Sequence, residues 1–172
     1  MAGQARETEF TEYVATRSGW LRKVAYLLCG DWHRADDLVQ ESVTRLYINW
    51  PRAGRMENLD GYARRVLVNI FLAEQRSPWW RRTTRSGTDR ELDAAAVGPD
   101  LDASLDLRQA LATLPPRQRA TVVLRYYCDL TVDQAAEAMG CSSGNVKSQT
   151  SRGLATLRHT LAALPVATER TP

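Results

Sequence analysis

The C-terminal third of this 172-residue chain constrains its fold more than any other part. Thr131 followed three residues later by Gln134 is a capping box, which predicts that a helix begins there. Gly140 predicts the end of that short helix, and Ser142 or Ser143 predicts the start of a longer one. A short helix, a tight turn and a longer helix form the helix-turn-helix pattern.

The longer helix is one-sidedly basic. The stretch 140–161 contains Lys147, Arg152 and Arg158 and no acidic residue. Such a helix can bind a nucleic-acid groove, lie on a membrane surface, or present a solvated face. The second helix of a helix-turn-helix enters the major groove, with its N-terminal turns near base edges. The groove candidates are polar or basic and are Ser143, Asn145, Lys147, Ser148, Gln149, Ser151 and Arg152. The apolar face has no Trp or Phe, which disfavours the membrane alternative.

Composition excludes several classes of protein. An apolar share of 44% and a charged share of 25% are typical of a soluble globular chain. Net charge is only +3, so an anionic partner must be met by local charge. Three separated cysteines without a CxxC pair indicate a reducing compartment and neither disulfides nor a metal site. The sequence has no secretion signal and no long apolar run, so we expect a cytoplasmic protein without a membrane partner.

The rest of the chain also reads as helical. Apolar residues with period 3.6 predict helices at 8–28 and 34–50, the latter ended by Pro51, and a third helix capped by Asp60. No segment alternates convincingly with period two, so the expected fold class is all-α. In the second half, helices are predicted at 102–114 and 117–127.

A charged segment separates the two halves. It begins with Trp79-Trp80 and three arginines and ends with acidic residues, and it has no sustained period. We therefore expect two small helical domains, 8–77 and 103–164, joined by a flexible linker, 78–102. The tryptophan pair would pack on the first domain or stack against a partner.

Two stretches together resemble the extracytoplasmic-function sigma factors of the sigma-70 family. They are "DDLVQESVTRLY", from Asp36 to Tyr47, and "LPPRQRATVVLRYYCDLTVDQAAEAMGCSSGNVKSQTSRGLATLR", from Leu114 to Arg158. The resemblance covers roughly 10–164, and the Trp-Arg-Arg linker resembles an actinobacterial, SigE-like subgroup. It implies a promoter-specificity factor that binds bacterial core RNA polymerase and helps to melt DNA. No catalytic constellation stands out, so neither an enzyme nor a small-molecule substrate or cofactor is expected.

The first stretch resembles the segment by which sigma domain two docks on the β′ clamp helices of the polymerase. The residues implied are Asp37, Leu38, Gln40, Glu41 and Thr44. An exposed stripe of carboxylates and amides can meet an arginine-rich coiled coil through charge-assisted hydrogen bonds. The alternative is an ordinary solvated helix face.

The loop at 51–60 and the helix after it resemble the part that reads the −10 promoter element. The resemblance implies that Asn58, Leu59 and Asp60 form a pocket for an unpaired base flipped out of the stack. The side chains expected to follow the strand are Arg64, Arg65 and Asn69. Both arginines could instead be ordinary surface charges.

The second domain resembles sigma domain four, which reads the −35 element through the groove candidates given above. Lys147 stands where many members have Arg, and lysine cannot make the bidentate fork of arginine to guanine, so that contact is expected to be weaker or different. The domain is also expected to grip the β flap tip through Ala110, Leu111, Leu114 and the stretch 154–161, although this surface could equally be core. An anti-sigma factor is a further partner that the family allows.

Two other functions stay open from the sequence. A stand-alone helix-turn-helix regulator would bind DNA without polymerase, usually as a dimer on symmetric half-sites. A sigma mimic that sequesters another factor should lack basic promoter-facing residues, and Lys147 and Arg152 argue against it.

Overall fold

The computed structural model describes residues 1–78 and 101–164 and is built from helices. In the first part these are α1 (Ala2–Cys29), α2 (Trp32–Ala53) and α3 (Leu59–Arg76). In the second part they are α4 (Leu101–Ala112), α5 (Pro116–Val122), a π-helical turn (Val123–Tyr127), α6 (Val132–Met139) and α7 (Ser143–Ala163). The described residues contain no strand, which confirms the all-α prediction. Trp79-Trp80 and most of the predicted linker lie outside the described residues.

Helix α2 continues past the proline that was predicted to end it. Pro51 has no N–H to donate to the preceding turn, yet the helix extends to Ala53. Trp50 and Ala53 are buried, and the Gly54 N–H donates to the Trp50 carbonyl at 2.9 Å. Packing of this last turn therefore offsets the one hydrogen bond that proline removes, and the prediction of an end at Pro51 was wrong.

The cap of α3 also differs from the prediction. The Asn58 side chain accepts a hydrogen bond from the Gly61 N–H at 2.8 Å and is the N-cap. Asp60 lies in the first turn, where a carboxylate is favoured by the helix dipole. The sequence predicted Asp60 as the cap because both residue types are good caps and the spacing alone does not separate them.

The second half follows the predicted helix-turn-helix. The capping box of Thr131 and Gln134 is formed in both directions, at 3.2 and 2.9 Å, and Gly140 ends α6 with φ 62°. Ser142, one of the two predicted caps, accepts from the Asn145 N–H at 3.1 Å and starts α7. The single helix predicted at 117–127 is instead α5 continued by a π-helical turn.

One hydrophobic core runs through both halves. It contains Leu21, Leu28, Leu67 and Phe71 from the first part and, packed with them, residues of α5, the π-helical turn, α6 and α7 such as Leu124. Helix α3 packs against α6, and α1 contacts α4, α5 and the π-helical turn. None of the helices in the described ranges is apolar over enough length to cross a bilayer.

Candidate nucleic-acid interface

The recognition-helix candidates form a largely exposed polar face on α7. The exposed members are Asn145, Lys147, Ser148, Ser151 and Arg152. Ser143 and Gln149 are half-buried, and the Ser143 hydroxyl donates to Asp133 Oδ1 of α6 at 2.6 Å. The Ser143 hydroxyl proton is thus engaged within the helix-turn-helix, and the five exposed side chains remain accessible to a groove.

Beside this face lies a shallow groove of about 350 Å³ that sequence reasoning did not identify. It combines cationic side chains with hydroxyls, and its lining includes Arg125, Lys147, Ser151 and Arg158. Arg125 is fixed there because its guanidinium donates to the Leu130 carbonyl. The sequence did contain a signal for Arg158. It follows Lys147 by eleven residues, or three helical turns, so both cations lie on the same side of α7. The groove offers three positive charges to an anionic backbone.

The loop residues predicted to form a base pocket lie on a second concave surface. Asn58, Leu59 and Asp60 line it together with residues of α1, among them Tyr13 and Arg17. The Tyr13 hydroxyl donates to Asp60 at 3.0 Å, and Arg17 pairs with the same carboxylate at 2.9 Å. Burial and the neighbouring Asp60 charge raise the pKa of Tyr13, so this phenol stays protonated. Asp60 therefore already has two partners, and the Asn58 oxygen caps α3.

The strand-following candidates on α3 divide into two groups. Arg65 and Asn69 are exposed. Arg64 is half-buried, its guanidinium lies 5.3 Å from the ring centroid of Trp20, and its charge acts on the Cys128 thiol of the other half. Only Arg65 and Asn69 are therefore freely accessible to a DNA strand in this arrangement.

The polymerase-docking candidates lie on α2. Asp37, Gln40, Glu41 and Thr44 are exposed on one side of the helix. Leu38 is different, because its side chain is 1% exposed and belongs to the core. We therefore leave Leu38 out of the docking face, which we define as the four exposed residues.

Neighbouring ion pairs orient α2. Arg34 bonds Glu74 of α3 at 3.1 Å, and Arg22 of α1 bonds Asp36. The hydrogen bond from Arg22 lowers the pKa of Asp36, while burial raises the pKa of Glu74. These pairs join α2 to both of its neighbours without using a docking-face side chain.

The residues expected to grip the flap tip are only partly accessible, since Leu161 of the stretch 154–161 is exposed. Ala110, Leu111 and Leu114 are buried and pack with Val122 and Leu157 in a second apolar cluster. These three residues act as core in this arrangement.

Comparisons with known proteins agree with the two-part organisation. The family "Sigma-70 region 2" matches residues 14–81, and "Sigma-70, region 4" matches residues 104–157. The RNA polymerase sigma-E factor of Streptomyces avermitilis is 36% identical, over 89% of this chain and 85% of that protein. The ECF RNA polymerase sigma factor SigE of Mycolicibacterium smegmatis is 30% identical, over 92% of this chain and 64% of that protein.

A solved structure has the same fold over most of its length. It is the sigma factor RpoE in complex with the anti-sigma factor NepR from Bartonella quintana, with a TM-score of 0.69 and 25% identity, covering 91% of this chain and 98% of that one. With both sigma regions present in order and relatives above 30% identity over most of the chain, this protein belongs to the extracytoplasmic-function sigma factors of the sigma-70 family, which direct RNA polymerase to specific promoters.

Proposed function

We propose that residues 8–77 dock the chain on core RNA polymerase and hold the −10 strand, and that residues 103–164 read the −35 element. The observation that carries this proposal is the joint presence of the α2 docking face and the acid-free α7 face in one chain. A stand-alone regulator would have no use for the first of these surfaces. Since the polymerase works in the cytoplasm, we place the protein there.

The docking face supports binding to the β′ clamp helices through charge. Asp37 and Glu41 are exposed carboxylates one helical turn apart, with Gln40 between them. Glu41 also bonds Arg45 within α2, so Asp37 is the carboxylate of this pair more open to a partner's arginine.

Reversing the charge of Asp37 tests this assignment. Asp37→Lys should weaken binding to core polymerase at least about 10-fold, because a like charge would face the clamp. Binding is measured by fluorescence anisotropy of labelled sigma factor titrated with core enzyme. Glu7→Lys is the matched control, with the same charge change at an exposed position of α1. Equal affinities for the two variants would contradict the docking assignment.

The α7 face supports −35 recognition through phosphate and base contacts. Lys147 and Arg152 are exposed, and Lys147 also borders the basic groove. Each phosphate contact releases counterions, so its loss appears in the salt dependence of binding.

The double variant Lys147→Ala/Arg152→Ala should leave core binding intact and weaken holoenzyme binding to a cognate promoter. The slope of log affinity against log salt should fall in magnitude by about 2, one unit for each lost contact. Filter binding between about 50 and 200 mM salt measures it. Arg6→Ala, an exposed cation at the start of α1, is the control and should not change the slope. An unchanged slope in the double variant would remove these residues from the promoter interface.

The solved relative carries an anti-sigma factor, and we propose that this chain can accept a protein of that class. For the β flap tip we propose only the accessible part of the stretch 154–161, which includes the exposed Leu161, because Ala110, Leu111 and Leu114 are buried.

A further inference from the structure

The base pocket proposed for the −10 strand is built from two parts of the chain. The loop before α3 contributes Asn58, Leu59 and Asp60, and α1 contributes the facing wall, which includes Tyr13 and Arg17. The cavity between them has a volume of about 510 Å³, within the range of small-molecule sites. The sequence predicted only the loop as pocket, so the part that α1 plays in it is a new element of the site.

Both oxygens of the Asp60 carboxylate are already engaged by α1. The Tyr13 hydroxyl donates to Oδ1 at 3.0 Å, and Nη2 of Arg17 lies 2.9 Å from Oδ2. The side chains of Arg17 and Asp60 are 45% and 34% exposed, so their ion pair contributes little by itself. The Tyr13 bond is better shielded, because the phenol ring packs against Trp50. Asp60 therefore ties the first turn of α3 to α1.

The neighbouring Asn58 is oriented from within α3. Its Oδ1 accepts the Gly61 N–H at 2.8 Å, which fixes the amide and leaves the two N–H groups of Nδ2 as donors. Gly61 permits this folding back of the side chain, because a Cβ there would lie 2.5 Å from Nδ2. Asn58 is exposed and lines the cavity, so it presents an amide donor to a base that enters.

We infer that Tyr13 and Arg17 are positioning residues of the base pocket, which hold Asp60 so that Asn58, and not Asp60, offers the hydrogen bond to the captured base. This inference rests on the proposed function, which places a base of the −10 strand in this pocket. Asn58 precedes Asp60 by two residues, so a shift of the Asp60 anchor also moves the amide. Binding sites of this kind fail when their groups are about 1 Å out of place.

The test combines protein variants with removal of single bases. Holoenzyme affinity is measured for a cognate promoter fragment with a premelted −10 element, carrying an abasic site at each non-template position in turn. A base held in the pocket contributes to affinity, so its removal should weaken binding of the wild-type holoenzyme. Tyr13→Phe keeps the ring and deletes the hydroxyl, and it should weaken binding to the intact strand about 5-fold.

The informative result is a loss of additivity at one position of the strand. Because Tyr13 acts through the pocket, Tyr13→Phe and the abasic site at the pocket position should together cost about as much as either alone, whereas the costs at other positions should add. A variant with a weakened fold would lose affinity by the same factor at every position. Additive costs throughout would overturn the inference. Tighter binding by Tyr13→Phe would also overturn it, because the freed Asp60 carboxylate would then be the base contact.

Tyr47→Phe is the matched control. It deletes the hydroxyl of an exposed tyrosine of α2, whose ring packs against Phe10 in the same aromatic cluster. It should match wild type on the intact strand and at every abasic position. The same loss of additivity in Tyr47→Phe would remove any special role of the bond between Tyr13 and Asp60.

Gly61→Ala tests the role of Asn58 independently. The added methyl group displaces the flexible Asn58 amide, while alanine favours the helix, so the fold is kept. The variant should lose the cost of the abasic site at the same position as Tyr13→Phe, and a full cost there would overturn the assignment of Asn58. Failure of the proposed function has a different signature, since no abasic site would then weaken the wild-type holoenzyme. That outcome would overturn the −10 assignment together with the inference.

Discussion

Single side chains at helix ends fix where the helices of the second half begin and stop. Thr131 and Gln134 satisfy two backbone donors that a helix start leaves without partners, and Ser142 does the same at the next helix. Between them Gly140 adopts the left-handed conformation that a Cβ would disfavour. The angle between α6 and α7, and hence the presentation of the polar α7 face, depends on these few contacts.

Thr131→Ala should lower the free energy of unfolding by about 1 kcal/mol, because it removes the oxygen that accepts from the Gln134 N–H. Urea denaturation followed by circular dichroism measures the change. Thr11→Ala is the control, since that exposed hydroxyl only donates to the Glu7 carbonyl inside α1. The control should stay within about 0.5 kcal/mol of wild type, and an equally large loss there would deny Thr131 a special role.

For single residues, the sequence predicted the helix N-cap correctly where only one residue was a candidate, and less well where two were. The Thr131–Gln134 box has a unique spacing and was confirmed. Asn58 and Asp60 are both good caps two residues apart, and only the path of the chain into α3 selects Asn58. The half-buried state of Arg64 depends on contacts from the second half, which local sequence does not encode.

At the scale of elements, the crossing of α5 and α7 depends on the absence of a side chain. Gly153 of α7 is buried, and a Cβ there would lie 2.9 Å from Cγ2 of Val122. The glycine costs helix propensity but lets the two helices approach closely. The sequence did not identify this position. Without knowledge of the partner helix, a glycine within a helix predicts only a less stable helix.

Gly153→Ala should destabilise the fold by about 1 kcal/mol, since overpacking outweighs the gain in helix propensity. In a Val122→Ala background the same change should stabilise, because the clashing methyl is gone. Denaturation of the four chains in this double-mutant cycle measures the coupling. Gly144→Ala is the control, as its nearest atom is Ser142 Oγ at 3.9 Å, and it should not destabilise. A destabilising Gly153→Ala in both backgrounds would contradict the proposed clash.

Element ends that depend on tertiary packing were the ones predicted wrongly. The Pro51 rule considers only the lost hydrogen bond, whereas burial of Trp50 and Ala53 holds the last turn of α2. The π-helical turn Val123–Tyr127 has no simple sequence signature, and it sits where Val123 and Leu124 enter the shared core. The period-3.6 stripes located the helices correctly because they report only that a face is buried.

At the scale of the molecule, the apolar stripes of period 3.6 predict that a helix face is buried but do not identify the element that covers it. Leu27, Cys128 and Arg119 read as parts of two separate domains, yet each lies where the halves meet. A single core across both regions means that one half contributes to the stability of the other.

The shared core predicts one cooperative unfolding transition for the wild-type chain. Trp20, Trp32 and Trp50 lie in the first half, so with Trp79 and Trp80 replaced by phenylalanine the tryptophan fluorescence reports that half, whereas circular dichroism reports helices of both. The two thermal midpoints should coincide, because the two halves share one core and coincident probes are the mark of two-state behaviour. Distinct midpoints would show that the shared core is too weak to couple the two regions.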